Sequence, residues 1–220
     1  MPHIIGVVGN LGAGKTTTAS MMAWLYKNKI EKRGGHVQLF ANYDLQGAER
    51  LKVASDWFKV AAANGSICVW DESHRSFDSR KSLKFENTLA TDVLTFARKM
   101  QSIQIFATPS INRLDTRIRE MLEVLIHVRP MGNKGIILDY FDFQADSFGP
   151  KGQFLHSRSL SSAKVKQIHG LDLFDTYSFV NGFPLPRTER EAETFLEELE
   201  KAHDEARRAK GANNRTRKQN

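Results

Sequence analysis

Gly9-Asn10-Leu11-Gly12-Ala13-Gly14-Lys15-Thr16, entered directly from the apolar run Ile4-Ile5-Gly6-Val7-Val8, decides how the rest of the chain is read. The spacing is that of a Walker A phosphate-binding loop. Glycines let the backbone wrap a phosphate chain with its N–H groups, and the helix that follows presents its positive end to the same anion. In that pattern Lys15 reaches the β and γ phosphates and the Thr16 hydroxyl ligates Mg²⁺. Gly9, Asn10, Leu11, Gly12, Ala13, Gly14, Lys15, Thr16 and Thr17 are therefore the expected nucleotide-binding set, with ATP and Mg²⁺ as the expected cofactors. A glycine-rich turn that ended in Lys-Thr by chance would lack the right flanks. Here an apolar strand precedes the loop, and residues 16–30 put Ala19, Met22, Ala23, Tyr26 and Ile30 on one helical stripe.

Val69-Trp70-Asp71-Glu72, at the end of a second apolar run, matches the Walker B pattern with an added glutamate. Asp71 is expected in the Mg²⁺ shell, and Glu72 is expected to orient and polarise a water for in-line attack on the γ phosphate. A carboxylate so placed favours hydrolysis. A nucleotide or small-metabolite kinase, the alternative from another class, must keep water away from that phosphate and would need an acceptor pocket and an arginine-bearing lid, for which the loop at 73–84 could be misread.

Charge developing on the phosphoryl group calls for a cation beyond Lys15, and Arg98, Arg113, Arg117 and Arg119 are the candidates. Thr108 and Ser110, just past the apolar run 103–107, are read either as sensors of the γ phosphate or as strand-end caps. His74 is either part of that relay or an exposed loop histidine. The seven histidines show no spacing suited to a transition metal.

A chain of 220 residues can bury the core of one α/β domain with small appendages. Its one cysteine, Cys68, sits in the apolar run 67–70 and is expected as a small buried core residue, with no disulfide framework and a reducing compartment. No stretch is apolar enough to cross a bilayer and the start does not resemble a signal peptide, so a cytoplasmic protein, in its host or source cell, is expected. The formal charge is +7, but six uncompensated positives follow Glu205 and leave the rest at +1. Basicity thus belongs to a tail, either seeking a polyanion or simply solvated.

The pattern along the chain predicts strands at 36–41, 67–70, 103–107 and 124–128 and helices at 51–63, 89–100 and 114–122. From Pro130 hairpins follow, with strands at 136–143 and 153–159 joined by a turn at 146–152. Alternating strands and helices imply a three-layer sandwich: a mostly parallel central sheet covered on both faces, ligands at the carboxyl ends of its strands, C-terminal antiparallel hairpins and a charged C-terminal helix. The expected domains are a P-loop ATPase domain over 1–183, an amphipathic helix over 184–210 and a basic disordered tail over 211–220. That helix either packs on its own domain or contacts a neighbouring subunit.

Three segments together carry a resemblance: GNLGAGKT, VWDESHRSF, and Phe96-Ala97-Arg98-Lys99 leading into Ile103-Gln104-Ile105-Phe106-Ala107-Thr108. Their order and spacing over residues 4–128 resemble the FtsK/HerA superfamily of RecA/ASCE-like P-loop ATPases. Within it the chain looks most like the small genome-packaging ATPases of membrane-containing viruses and the Zot-like morphogenesis proteins of filamentous phages. The resemblance implies a homo-oligomeric ring, usually a hexamer, that hydrolyses ATP and pulls double-stranded DNA through its centre, with capsid or virion membrane proteins as further partners. Lys15, Thr16, Asp71 and Glu72 take the family's roles, and Arg98 matches its trans-acting arginine. The family's Thr-Gln is Thr108-Pro109 here, so Ser110 or Asn112 would have to substitute for the sensor glutamine. Zot-like proteins often carry a membrane span, and its absence from this sequence favours packaging over extrusion through an envelope; conjugative transfer is a further use of the same motor.

Overall fold

The computed structural model describes residues 2–72, 84–114, 116–144, 152–175, 180–182, 184–186 and 188–216. Its strands are β1 (Ile4–Val8), β2 (Gln38–Ala41), β3 (Ala48–Arg50), β4 (Ser66–Trp70), β5 (Ser102–Thr108), β6 (Val124–Pro130), β7 (Gly135–Asp142) and β8 (Gln153–Ser161). The helices are α1 (Lys15–Glu31), α2 (Asp56–Ala63), α3 (Lys84–Lys99), α4 (Thr116–Glu120), α5 (Ser162–His169) and α6 (Glu189–Thr216). One sheet holds all eight strands in the order β3-β2-β4-β5-β1-β6-β7-β8. It is parallel from β3 through β6 and antiparallel at β7 and β8.

Central strands buried on both faces read as near-continuous apolar runs, and β1, β4 and β5 are buried along their whole length. Alternate residues serve opposite cores. Ile5, Val7, Ile67, Val69, Ile105 and Ala107 pack with Ala19, Met22 and Ala23 of α1. On the other face Phe40, Cys68, Trp70 and Phe106 pack with residues of α2, α3, α4 and α6. There Trp57 stacks on Trp70 at 5.5 Å and Trp70 on Phe106 at 6.5 Å. The polar atoms in this core are paired with one another: Trp70 Nε1 donates to Gln104 Oε1 at 2.7 Å, Gln104 Nε2 donates to Ser102 Oγ at 2.8 Å, and Ser102 shares a 2.6 Å bond with Ser66. Cys68 lies beside them, fully buried as expected.

The three-layer architecture and the C-terminal hairpin stand as the sequence pattern predicts, with local differences. The edge strand β3 is three polar or small residues and has no apolar alternation to betray it. α2 starts at Asp56 and not at residue 51, because the Asp56 carboxylate accepts the Lys52 and Val53 N–H groups at 2.8 and 3.0 Å and holds them in a turn. The helix expected over 114–122 is a 3₁₀ turn, Ile111–Arg113, followed by the short α4. α5 falls outside the elements that the sequence pattern predicts. It opens on Ser161, whose hydroxyl accepts the Lys164 N–H at 3.4 Å, and packs against β7, β8 and α1. α6 lays Ala192, Phe195 and Leu199 on α2 and α3, so its first half covers its own domain. Its helical backbone continues to Thr216, into the stretch expected as a tail. Residues 73–83 and 145–151 lie outside the described residues, and with them all but the last residue of the turn expected at 146–152.

Candidate nucleotide site

β1 delivers the Walker loop to the carboxyl edge of the sheet, and α1 leaves from it. Gly12 and Gly14 have φ of +73° and +95°, conformations that glycine adopts without strain. At Gly9 the reason for glycine is contact, since a Cβ there would lie 2.5 Å from the Val128 carbonyl oxygen of the neighbouring β6. Lys15 is nearly buried and its Nζ donates to the Asn10 carbonyl at 3.0 Å, which folds it across the mouth of the loop. The Ala13 N–H also closes on that carbonyl, at 3.1 Å.

The second Walker segment meets the first across the sheet. Thr16 donates its hydroxyl to Asp71 Oδ2 at 2.9 Å, and Asp71 Oδ1 accepts the Glu72 N–H at 3.0 Å. Burial raises the Asp71 carboxyl pKa above the ordinary range, while the Thr16 hydrogen bond opposes it. Glu72 has φ of +50°, a left-handed backbone costing roughly 1–2 kcal/mol for a residue with a Cβ. Such outliers concentrate at functional positions. The donor set fits the groups the motifs imply: Thr16 and Asp71 offer two oxygens for a hard cation, and the loop offers Lys15 and open backbone N–H groups for phosphate.

Asn42 is the residue that sequence reasoning missed here. Only 2 % exposed at the end of β2, it accepts the Asp71 N–H at 2.8 Å through Oδ1 and donates through Nδ2 to the Asp71 and Asn181 carbonyls at 3.0 and 2.7 Å. The Asn181 N–H returns a bond of 2.8 Å to the Asn42 carbonyl. Nothing in the sequence after the apolar run Leu39-Phe40-Ala41 marks it, since its partners come together only when β2 lies beside β4. Next to it Tyr43 shares a 2.8 Å bond with Ser20 of α1, and burial pushes its phenol pKa well up.

Walker loop, Walker B segment and the chain after α5 enclose one cavity of about 420 Å³. Gly12, Gly14, Lys15, Thr16 and Thr17 line it together with Asp71 and Glu72, and His169, Phe174 and Val180 line it from the later chain.

The other expected site residues are not gathered there. β5 does run between β1 and β4, as expected, with Thr108 level with Val8. Thr108 is fully buried and donates to the Ser110 carbonyl at 3.3 Å, while the Ser110 hydroxyl accepts the Asn112 N–H at 3.3 Å. Asn112 in turn accepts from Arg119 at 3.4 Å, and Arg119 also donates to Thr116 at 2.8 Å. Arg98 is exposed near the end of α3, just before β5 begins, hence at the opposite edge of the sheet from the Walker loop. It cannot reach the cavity of its own chain. Arg113 is exposed, whereas His74 and the side chain of Arg117 lie outside the described residues.

The model of the family described as Zonular occludens toxin (Zot) matches residues 4–171. The chain belongs to the Zot family. Among solved structures, this Zot-family chain is similar to the N-terminal domain of zonular occludens toxin from Neisseria meningitidis, with 16 % identity and a TM-score of 0.50 over 85 % of this chain and 96 % of that one. It is also similar to the genome packaging NTPase B204 from Sulfolobus turreted icosahedral virus 2 in complex with ATP-gammaS, with 10 % identity and a TM-score of 0.46 over 64 % and 92 % of the two chains. At such identity the first likeness speaks for the shared P-loop fold. No curated protein matches the sequence. No helix among the described residues is long and apolar enough to cross a membrane.

Proposed function

We propose that this Zot-family chain is an Mg²⁺-dependent ATPase that drives movement of double-stranded DNA, an FtsK/HerA-type motor working as a ring of identical subunits. The observation that carries the reading is the Thr16–Asp71 hydrogen bond with Glu72 next in sequence, which sets a metal-holding pair beside a carboxylate at the mouth of the phosphate loop. Mg²⁺ when bound would draw charge from the β and γ phosphate oxygens. Lys15 balances the same charge from the loop side, Thr17 and the loop backbone orient the phosphate chain, and Glu72 accepts a proton from the attacking water. Family membership shifts the expected use from genome packaging toward Zot-like phage assembly. On this reading residues 1–183 are the ATPase domain and Arg98 acts on a neighbour's nucleotide.

The test measures phosphate release with and without duplex DNA, and particle size with and without a nonhydrolysable ATP analogue. Release stimulated by duplex DNA together with a nucleotide-dependent ring is the expected result. A monomer that transfers phosphate to a nucleoside acceptor, with no release to water, would replace the motor by a kinase.

A further inference from the structure

The phosphate-binding wall of the cavity accounts for only part of it. At about 420 Å³ the space lies within the range of roughly 300–1,000 Å³ that encloses whole small-molecule ligands. The walls not used by phosphate or metal are mostly apolar or aromatic, from Leu11, Tyr43, Phe174 and Val180, with His169 and the Asp175 carboxylate as their polar members. Leu11, at the tip of the Walker loop, is 90 % exposed, the most uncovered of the large apolar side chains among the described residues, and it lines this space. Phe174, half-buried, and His169, exposed at the end of α5, line it as well, with their rings 6.4 Å apart.

Phe174 is firmly held although it belongs to no helix or long strand. Its neighbour Leu173 is a core residue, 3 % exposed. The Leu173 carbonyl accepts the Gln46 N–H at 2.7 Å, and Leu45 and Phe174 form an antiparallel bridge. Tyr43, itself fixed to Ser20 of α1, meets the Phe174 ring edge to face at 6.4 Å. The segment after α5 thus crosses to the end of β2 and carries a fixed aromatic ring past the first turn of α1, where the phosphate chain would end.

We propose that Phe174 and His169, facing the same space as Leu11, form the seat of the nucleobase, so that the site selects a nucleoside triphosphate over a bare polyphosphate. This rests on the reading of the cavity as an ATP site. A flat aromatic base gains from stacking on a pre-placed ring, and covering Leu11 removes apolar surface from water.

Equilibrium binding of ATP and of inorganic tripolyphosphate, each with Mg²⁺, to the full chain and its Phe174 variants tests the proposal. The wild-type chain should prefer ATP. Phe174→Ala should weaken ATP about ten- to a hundredfold, the loss of one stacked base, and leave tripolyphosphate within about twofold. Phe174→Tyr, which keeps the ring, should restore the preference. An equal loss of both ligands would make the segment a brace for the Walker loop and overturn the seat, as would unchanged ATP affinity. If the wild-type chain bound tripolyphosphate no less tightly than ATP, the seat alone would fall; binding of neither would sink the ATP reading with it.

Discussion

Thr16 and Asp71, 55 positions apart in sequence, share a hydrogen bond of 2.9 Å that joins the first turn of α1 to the end of β4. The bond places both expected metal ligands on one spot, and Glu72 follows directly. Asp71→Asn should therefore abolish Mg²⁺-dependent phosphate release while the chain stays folded. Glu72→Gln should hold ATP with undiminished affinity and cleave it about 10²- to 10⁴-fold more slowly, the span typical of a lost general base. Undiminished turnover in Glu72→Gln would remove Glu72 from its role.

Asn42 should matter as much to stability as to activity. Asn42→Ala leaves three half-buried groups, the Asp71 N–H and the Asp71 and Asn181 carbonyls, without its side chain; at about 1 kcal/mol each, the low end for groups that water can partly reach, a loss of about 3 kcal/mol is expected in urea unfolding. Phosphate release should fall at least about tenfold in the same variant, because the Asp71 backbone loses its clamp. A variant with wild-type unfolding would show that this clamp bears little weight.

Arg98 should act only between subunits. Arg98→Ala alone should lose phosphate release, and Glu72→Gln alone likewise. Mixing the two should recover part of the activity, because some neighbouring pairs then combine an intact arginine with an intact Glu72. Mixtures as inactive as either variant would argue against a trans-acting Arg98.

Cys68 is sealed in the core between Ser66, Ser102 and Gln104, and burial pushes its thiol pKa up to about 11. Alkylation follows the thiolate, so the folded chain should resist a thiol reagent at neutral pH and react fully once denatured. Fast labelling of the native chain would show that β4 opens readily.

Asp139 on β7 gives a pH test away from the nucleotide site. The Arg129 hydrogen bond, aided by Ser157, holds its carboxyl pKa below the ordinary range. A lowered native pKa contributes stability that is complete above the ordinary carboxylate range and is lost as pH falls through the native pKa. Asp139→Asn should melt lower than wild type near neutrality, and the gap should close in strong acid. A gap independent of pH would point to packing instead.

The Walker elements, the central strands and the hairpin strands β7 and β8 were legible because each rests on local pattern: glycine spacing, apolar runs, alternation. What the sequence concealed rests on distant contacts. Asn42 announces nothing until β2 lies beside β4, and Phe174 joins the cavity only after the chain from α5 has crossed to Leu45. β3 has no apolar period because an edge strand of three residues buries little. α5 has only Val165 and Ile168 facing inward, too few to set a helical stripe. Thr108 and Ser110 make local bonds at the end of β5, which agrees with the strand-end capping that the sequence also allowed for them.

One peptide bond separates Asp71 from Trp70, whose indole lies against that of Trp57. The carboxylate that would grip the metal is thus tethered to a pair of coupled chromophores shielded from solvent. A ligand at the carboxyl edge that shifts Asp71 should therefore disturb this pair, and its arrival should be readable in the intrinsic fluorescence of the unlabelled chain.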